Sequence, residues 1–92
     1  ALLNQNHEND TLRYYTACSN LELKNYQEAI EDFNKVKGTS VFREKSEFRL
    51  ALCFLQLNEL GHSKKILEKI SNSDNHEFKD VAIEMLKESA FE

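Results

Sequence analysis

The apolar positions of this 92-residue chain recur at helical spacing, three and four residues apart, rather than in strand-like alternation. Leu12, Tyr14, Tyr15, Ala17, Cys18 and Leu21 mark an amphipathic helix over about residues 10–24, opened by Asn9 or Asp10. Asn25 with Glu28 three residues on has the form of a capping box. The helix it opens, about 26–37, carries Tyr26, Ala29, Ile30, Phe33 and Val36 on one face, and Lys35, Lys37 and Gly38 form its stop. Thr39 or Ser40 starts a third helix, about 41–57. Its centre, Leu50 to Leu55, is apolar nearly all round, as a helix sandwiched between neighbours requires. Asn58 and Glu59 turn the chain into a fourth helix, about 60–71, with Leu60, Ile66, Leu67 and Ile70 inward. A polar loop, Ser71 to Asn75, leads to a fifth helix, about 75–90. Asp74 with Glu77 is its expected cap, and Phe78, Val81, Ala82, Met85 and Leu86 are its inward set.

These elements repeat. Leu21, Leu23, Tyr26, Ala29, Ile30, Phe33 and Val36 align at one constant offset with Leu55, Leu57, Leu60, Ser63, Lys64, Leu67 and Ile70, and five of the seven pairs are apolar on both sides. Tyr14 with Phe48 and Ala17 with Ala51 extend the register backwards. A fixed period of about 34 residues predicts stacked helical hairpins, each burying its apolar face on the next. Leu2 lies one period before Val36, so Ala1–Leu3 is either the tail of a preceding hairpin or an unstructured start. The expected organisation is one domain over 1–92: a first repeat at about 10–40, a second at about 41–74, and a closing helix or half-repeat at about 75–91.

The period and its residues resemble the tetratricopeptide repeat. Tyr14, Ala17, Tyr26, Ala29 and Phe33 fit the family's pattern of large, small, tyrosine, alanine and aromatic positions, as do Phe48, Ala51, Leu60, Ser63 and Leu67. The small residues belong where helices cross at about 8–10 Å, since a larger side chain would force them apart. Where the family has a turn glycine this chain has Lys24 and Asn58, and Val41 and Asn75 stand at the place of its closing proline. The fifth helix fits best with the second repeat shortened by three residues, which places Ala82 at the small position. The resemblance implies an all-α superhelix of antiparallel hairpins whose first helices line a concave groove for extended peptides. Carried onto these residues, that groove takes Thr11, Tyr14, Tyr15, Cys18 and Glu22 from the first helix. Lys45, Phe48, Arg49, Leu52 and Gln56 come from the third, and Lys79 with Ile83 from the fifth.

Lys45 and Arg49 lie one turn apart on one helix face, so both can reach a single anion. They resemble half of the carboxylate clamp by which some relatives hold C-terminal tails; Tyr14 and Cys18 stand in place of the other half. The expected partner is therefore a protein segment, acidic or C-terminal, bound without catalysis. The alternative is a structural section of a longer scaffold that stacks or self-associates through exposed ends, with Ile83, Ala90 and Phe91 at the back. The net charge of −4 argues against a nucleic-acid partner. No stretch has the ~18–20 apolar residues of a membrane span.

Chemistry-bearing motifs are scarce. There is no phosphate loop, nucleophile elbow, Cys-x-x-Cys or His-Glu-x-x-His, so no cofactor or catalytic residue is assigned. Cys18 and Cys53 are too few for a disulfide framework and read as free thiols. His7, His62 and His76 are scattered. A metal held by His76, Glu77 and another acid is the remote option.

Overall fold

A computed structural model describes residues 5–36, 41–88 and 91, with side chains from Asp10 onward. Among the described residues there are five helices and no strand: α1 (Gln5–Glu22), α2 (Tyr26–Asn34), α3 (Arg43–Gln56), α4 (Leu60–Ser71) and α5 (Lys79–Leu86). Each packs on the next in chain order. The expected roles of Leu2, Lys37, Gly38, Thr39, Ser40 and Ala90 lie outside the described residues.

The hairpin turns explain why the helices stop where they do. After α1 the Asn25 N–H reaches the Asn20 carbonyl at 2.7 Å and the Lys24 N–H reaches Leu21 at 3.1 Å. After α3 the Glu59 N–H reaches Phe54 at 2.8 Å and the Asn58 N–H reaches Leu55 at 3.0 Å. This six-to-one plus five-to-two pairing satisfies carbonyls that the helix end would orphan, and it needs a left-handed residue at its fifth position. Lys24 and Asn58 fill that position at φ 67° and 61°. The same turn thus recurs one period on, at the two places where a glycine was expected from the family pattern.

The core has two parts that share α3. Tyr14, Ala17, Ala29, Ile30, Phe33, Val36 and Cys53 are buried together between α1, α2 and one side of α3. Ala51, Leu67, Ile70, Ala82 and Phe91 are buried together on its other side. That division accounts for the all-round apolar centre of α3. Ala17, Ala29, Ala51 and Ser63 are wholly buried. The Ser63 hydroxyl, which would otherwise be a desolvated polar group, donates to the Ala51 carbonyl at 2.9 Å.

Several expectations are corrected. α1 spans Gln5–Glu22, so the expected caps Asn9 and Asp10 both lie inside it, and Asp10 is buried. Asn25 precedes α2 but makes no side-chain capping bond; its amide donates instead to Asn20 Oδ1 at 3.4 Å. α3 starts at Arg43, with Phe42 at its N-cap. α5 starts at Lys79, not 75, and Asp74 does not cap it. The reason lies partly in α3 and partly in the loop: Glu44 Oε1 accepts the Glu77 N–H at 2.8 Å and His76 Nδ1 accepts the Phe78 N–H at 3.1 Å. Side chains thus take the N–H groups that would otherwise be orphaned at a helix start. Val81, expected inward, is 45% exposed. Phe91, expected as an open end, is buried against the second core cluster.

Candidate functional site

The starts of α3 and α5 each dock on an aromatic of the helix two before. Phe42, at the N-cap of α3, stacks on Tyr14 of α1 with centroids 4.6 Å apart and planes 17° apart. Phe78, at the N-cap of α5, stacks on Phe48 of α3 at 4.5 Å and 2°. The helices are pinned at their entrances, and these two joints set out the face that α1 and α3 share.

At the first joint Tyr14 is almost fully buried, with Phe33 edge-on at 6.1 Å and Tyr15 at 5.2 Å. Its hydroxyl oxygen accepts the Arg49 Nε–H at 3.0 Å. Burial, reinforced by Cys18, raises the Tyr14 hydroxyl above its ordinary value despite the opposing Arg49 charge. Burial would lower Arg49, but the bond to Tyr14 and the nearby Glu22 more than offset it, and the guanidinium stays firmly charged. Among the described residues no carboxylate lies within ion-pair distance of Arg49. One edge of the guanidinium is therefore fixed by a neutral hydroxyl, while its terminal amines keep their capacity for an anion. Tyr15 stands beside this group, 58% exposed. Cys18 is half-buried against the first core cluster, and burial pushes the Cys53 thiol up to about 11.

At the second joint the charges are spent. Lys45 Nζ lies 2.7 Å from Glu77 Oε2 and 5.8 Å above the Phe78 ring. The bond to Glu77 raises its pKa. Lys79 pairs more loosely with Asp74, at 3.6 Å. Glu47 gathers three partners: Arg43 Nη2 at 3.0 Å and Lys69 Nζ at 3.1 Å on Oε2, and His76 Nε2 at 3.0 Å on Oε1. Because His76 Nδ1 accepts the Phe78 N–H, the ring proton sits on Nε2 and is donated to Glu47. Burial alone would raise the Glu47 carboxyl, but His76, Lys69 and Arg43 together hold it below its ordinary value.

The expected groove residues are thus divided by their partners. Lys45 and Phe48 are occupied by Glu77 and Phe78, while Tyr15 and Arg49 retain free capacity and Cys18 serves the core. His76 and Glu77 do not share a ligand site: one faces Glu47 and the other Lys45. Among the described residues no three metal-ligating side chains come together, and no helix is long and apolar enough to cross a membrane. Sequence reasoning gave no site role to Phe42 or Glu47, placed Phe78 only on the inward face of the fifth helix, and gave His76 only a remote metal option. A signal existed for two of them: Phe42-Arg43-Glu44 and Phe78-Lys79-Asp80 are the same aromatic–basic–acidic triplet, each at a helix start.

No protein-family model, curated protein or solved structure matches this chain.

Proposed function

We propose that the chain is a non-catalytic protein-interaction module, built as tetratricopeptide-like hairpins with a closing helix, that binds an acidic or C-terminal segment of a partner protein along α1 and α3. The stacking part of this reading is supported by the two like turns one period apart, with left-handed residues at the family's glycine positions. The observation that carries the binding part is Arg49: a charged, half-buried guanidinium, oriented through Nε by Tyr14 and without a carboxylate partner among the described residues, next to exposed Tyr15. A carboxylate on its terminal amines and an apolar or aromatic neighbour on Tyr15 would complete both groups.

The test is fluorescence anisotropy with a labelled peptide ending in tyrosine–aspartate and a free carboxylate. A groove this short gives about micromolar affinity. Arg49→Gln weakens binding by roughly tenfold or more, the scale of a charge-assisted hydrogen bond. Tyr15→Ala weakens it several-fold with helicity unchanged. Equal binding by wild type and both variants would sink the reading.

A second reading, a section of a longer scaffold, has its own observation. Leu12, Thr16, Ser19 and Leu23 are all exposed on one stripe running along α1 and off its end. Their equivalents one period later, Ser46, Leu50, Cys53 and Leu57, are the stripe by which α3 sits on the preceding hairpin. Sedimentation equilibrium of wild type against Leu12→Glu/Leu23→Glu tests it. Self-association that the double variant abolishes favours stacking over the groove, and a concentration-independent monomer removes self-stacking.

A further inference from the structure

We propose that Glu77 is an intramolecular competitor for the partner's second anionic group, so that Arg49 reads one negative charge while Lys45 is withheld. This rests on the groove reading above. Arg49 and Lys45 lie one turn apart on α3, yet their states differ. Arg49 is held by a neutral hydroxyl. Lys45 is held at 2.7 Å by a carboxylate of the chain itself.

The seat of Glu77 is not accidental. Its backbone N–H is accepted by Glu44, and the neighbouring Phe78 ring is stacked on Phe48, so the backbone delivers the carboxylate to the Lys45 ammonium. Glu77 does with its side chain what an acidic ligand residue would do there. The corresponding place in the first joint lacks this device: the residue before Phe42 is Val41, which is exposed and apolar.

The block is reversible by construction. The Lys45 and Glu77 side chains are 39% and 48% exposed, and a pair so open to water is weak and screened by salt. An incoming carboxylate can replace Glu77 at Lys45 with little change in the ion pairs made. By that exchange a second anion should bring the wild type almost nothing, since one ion pair forms as another is lost. Removing the Glu77 charge turns the exchange into a gain. The device sets selectivity, keeping the site from over-binding any doubly acidic segment.

The experiment compares two probes on two proteins. One peptide ends in tyrosine–aspartate with a free terminal carboxylate; the other is its C-terminal amide, with one anionic group fewer. Their affinities are measured by anisotropy on wild type and on Glu77→Gln, which keeps the N–H to Glu44 and removes only the charge. The preference for free acid over amide should be small in wild type and about 2- to 5-fold larger in Glu77→Gln, the scale of a partly exposed ion pair. Adding Lys45→Met to Glu77→Gln should return it to the wild-type value. An equal preference in wild type and Glu77→Gln, with binding still dependent on Arg49, overturns the competitor role alone. Absence of Arg49-dependent binding by either peptide overturns the groove reading, and the competitor role falls with it.

Discussion

The two aromatic joints have nearly the same stacking distance, 4.6 Å for Tyr14 with Phe42 and 4.5 Å for Phe48 with Phe78, but they are secured by different physics. The first is an apolar joint: Tyr14 is buried among Phe33, Phe42 and Tyr15, with one polar bond to Arg49. The second is half-open, and its stack is braced by charge through Lys45–Glu77, Glu44 to the Glu77 N–H, and the Glu47 node with Arg43, Lys69 and His76. Burial holds the first, so Arg49 is left without a carboxylate partner among the described residues. Polar bonds hold the second, so its cations are consumed. Where hydrophobic burial fixes a joint, nearby charges stay unpaired; where ion pairs fix it, they do not.

The largest expected effect breaks the comparison at its rings. Tyr14→Ala removes a buried aromatic and leaves Arg49 without its acceptor, and should cost about 3–4 kcal/mol by urea denaturation. Phe48 is only half-buried, and Phe48→Ala should cost about 2 kcal/mol. Equal losses would mean that the joints are not held differently. Next is the charge brace. Glu47→Gln leaves Arg43 and Lys69 without their shared carboxylate and should cost about 1–2 kcal/mol at pH 7. The sign with pH follows from the depressed Glu47 carboxyl. Its contribution is full above the ordinary carboxylate value of 4.5 and is lost as pH falls through the lower, folded-state value. Glu47→Gln should therefore flatten the acid limb of the stability–pH curve, whereas Tyr14→Ala should lower the curve at every pH.

A smaller change should make one joint more like the other. Four residues after Phe78, α5 places the fully buried Ala82; four residues after Phe42, α3 places Ser46, buried with a hydroxyl that lacks a hydrogen-bond partner. Ser46→Ala removes a buried hydroxyl that has no partner among the described residues, and it improves helix propensity. It should raise stability by about 1 kcal/mol in the same denaturation assay. A loss instead would mean that the Ser46 hydroxyl is satisfied in solution.

Most of the fold was legible because it is written in periodicity. The five helices and the two-sided α3 follow from apolar spacing alone. The boundaries of α5 were not legible, because they are set by Glu44 and His76 acting on the backbone of residues 77 and 78, through contacts that no helical period encodes. The site was half legible. Lys45 and Arg49 were found by one-turn spacing, but spacing cannot say that a carboxylate 32 residues away claims one of them and a tyrosine hydroxyl 35 residues back claims the other. His76 read as one of three scattered histidines, since its meeting with Glu47 depends on how α4 returns the chain to α3.

The smallest expected effect tests the turns, where the two hairpins are again alike in geometry and different in chemistry. Lys24 and Asn58 both sit in the left-handed region. A side chain with a Cβ is penalised there by its contact with the following carbonyl, and asparagine suffers less than lysine because its short amide can bond locally. Glycine removes the penalty but gives the unfolded chain more freedom to lose, so the net gain is below the full strain. Lys24→Gly should raise the unfolding free energy by about 0.5–1 kcal/mol, and Asn58→Gly by roughly half as much or less. Thermal unfolding of the two variants reads both. If the gains were equal, the side-chain chemistry at this position would be irrelevant to the turn. If both variants were destabilised, the left-handed conformation would not be the one adopted, and the likeness of the two turns, on which the repeat stacking rests, would fail with it.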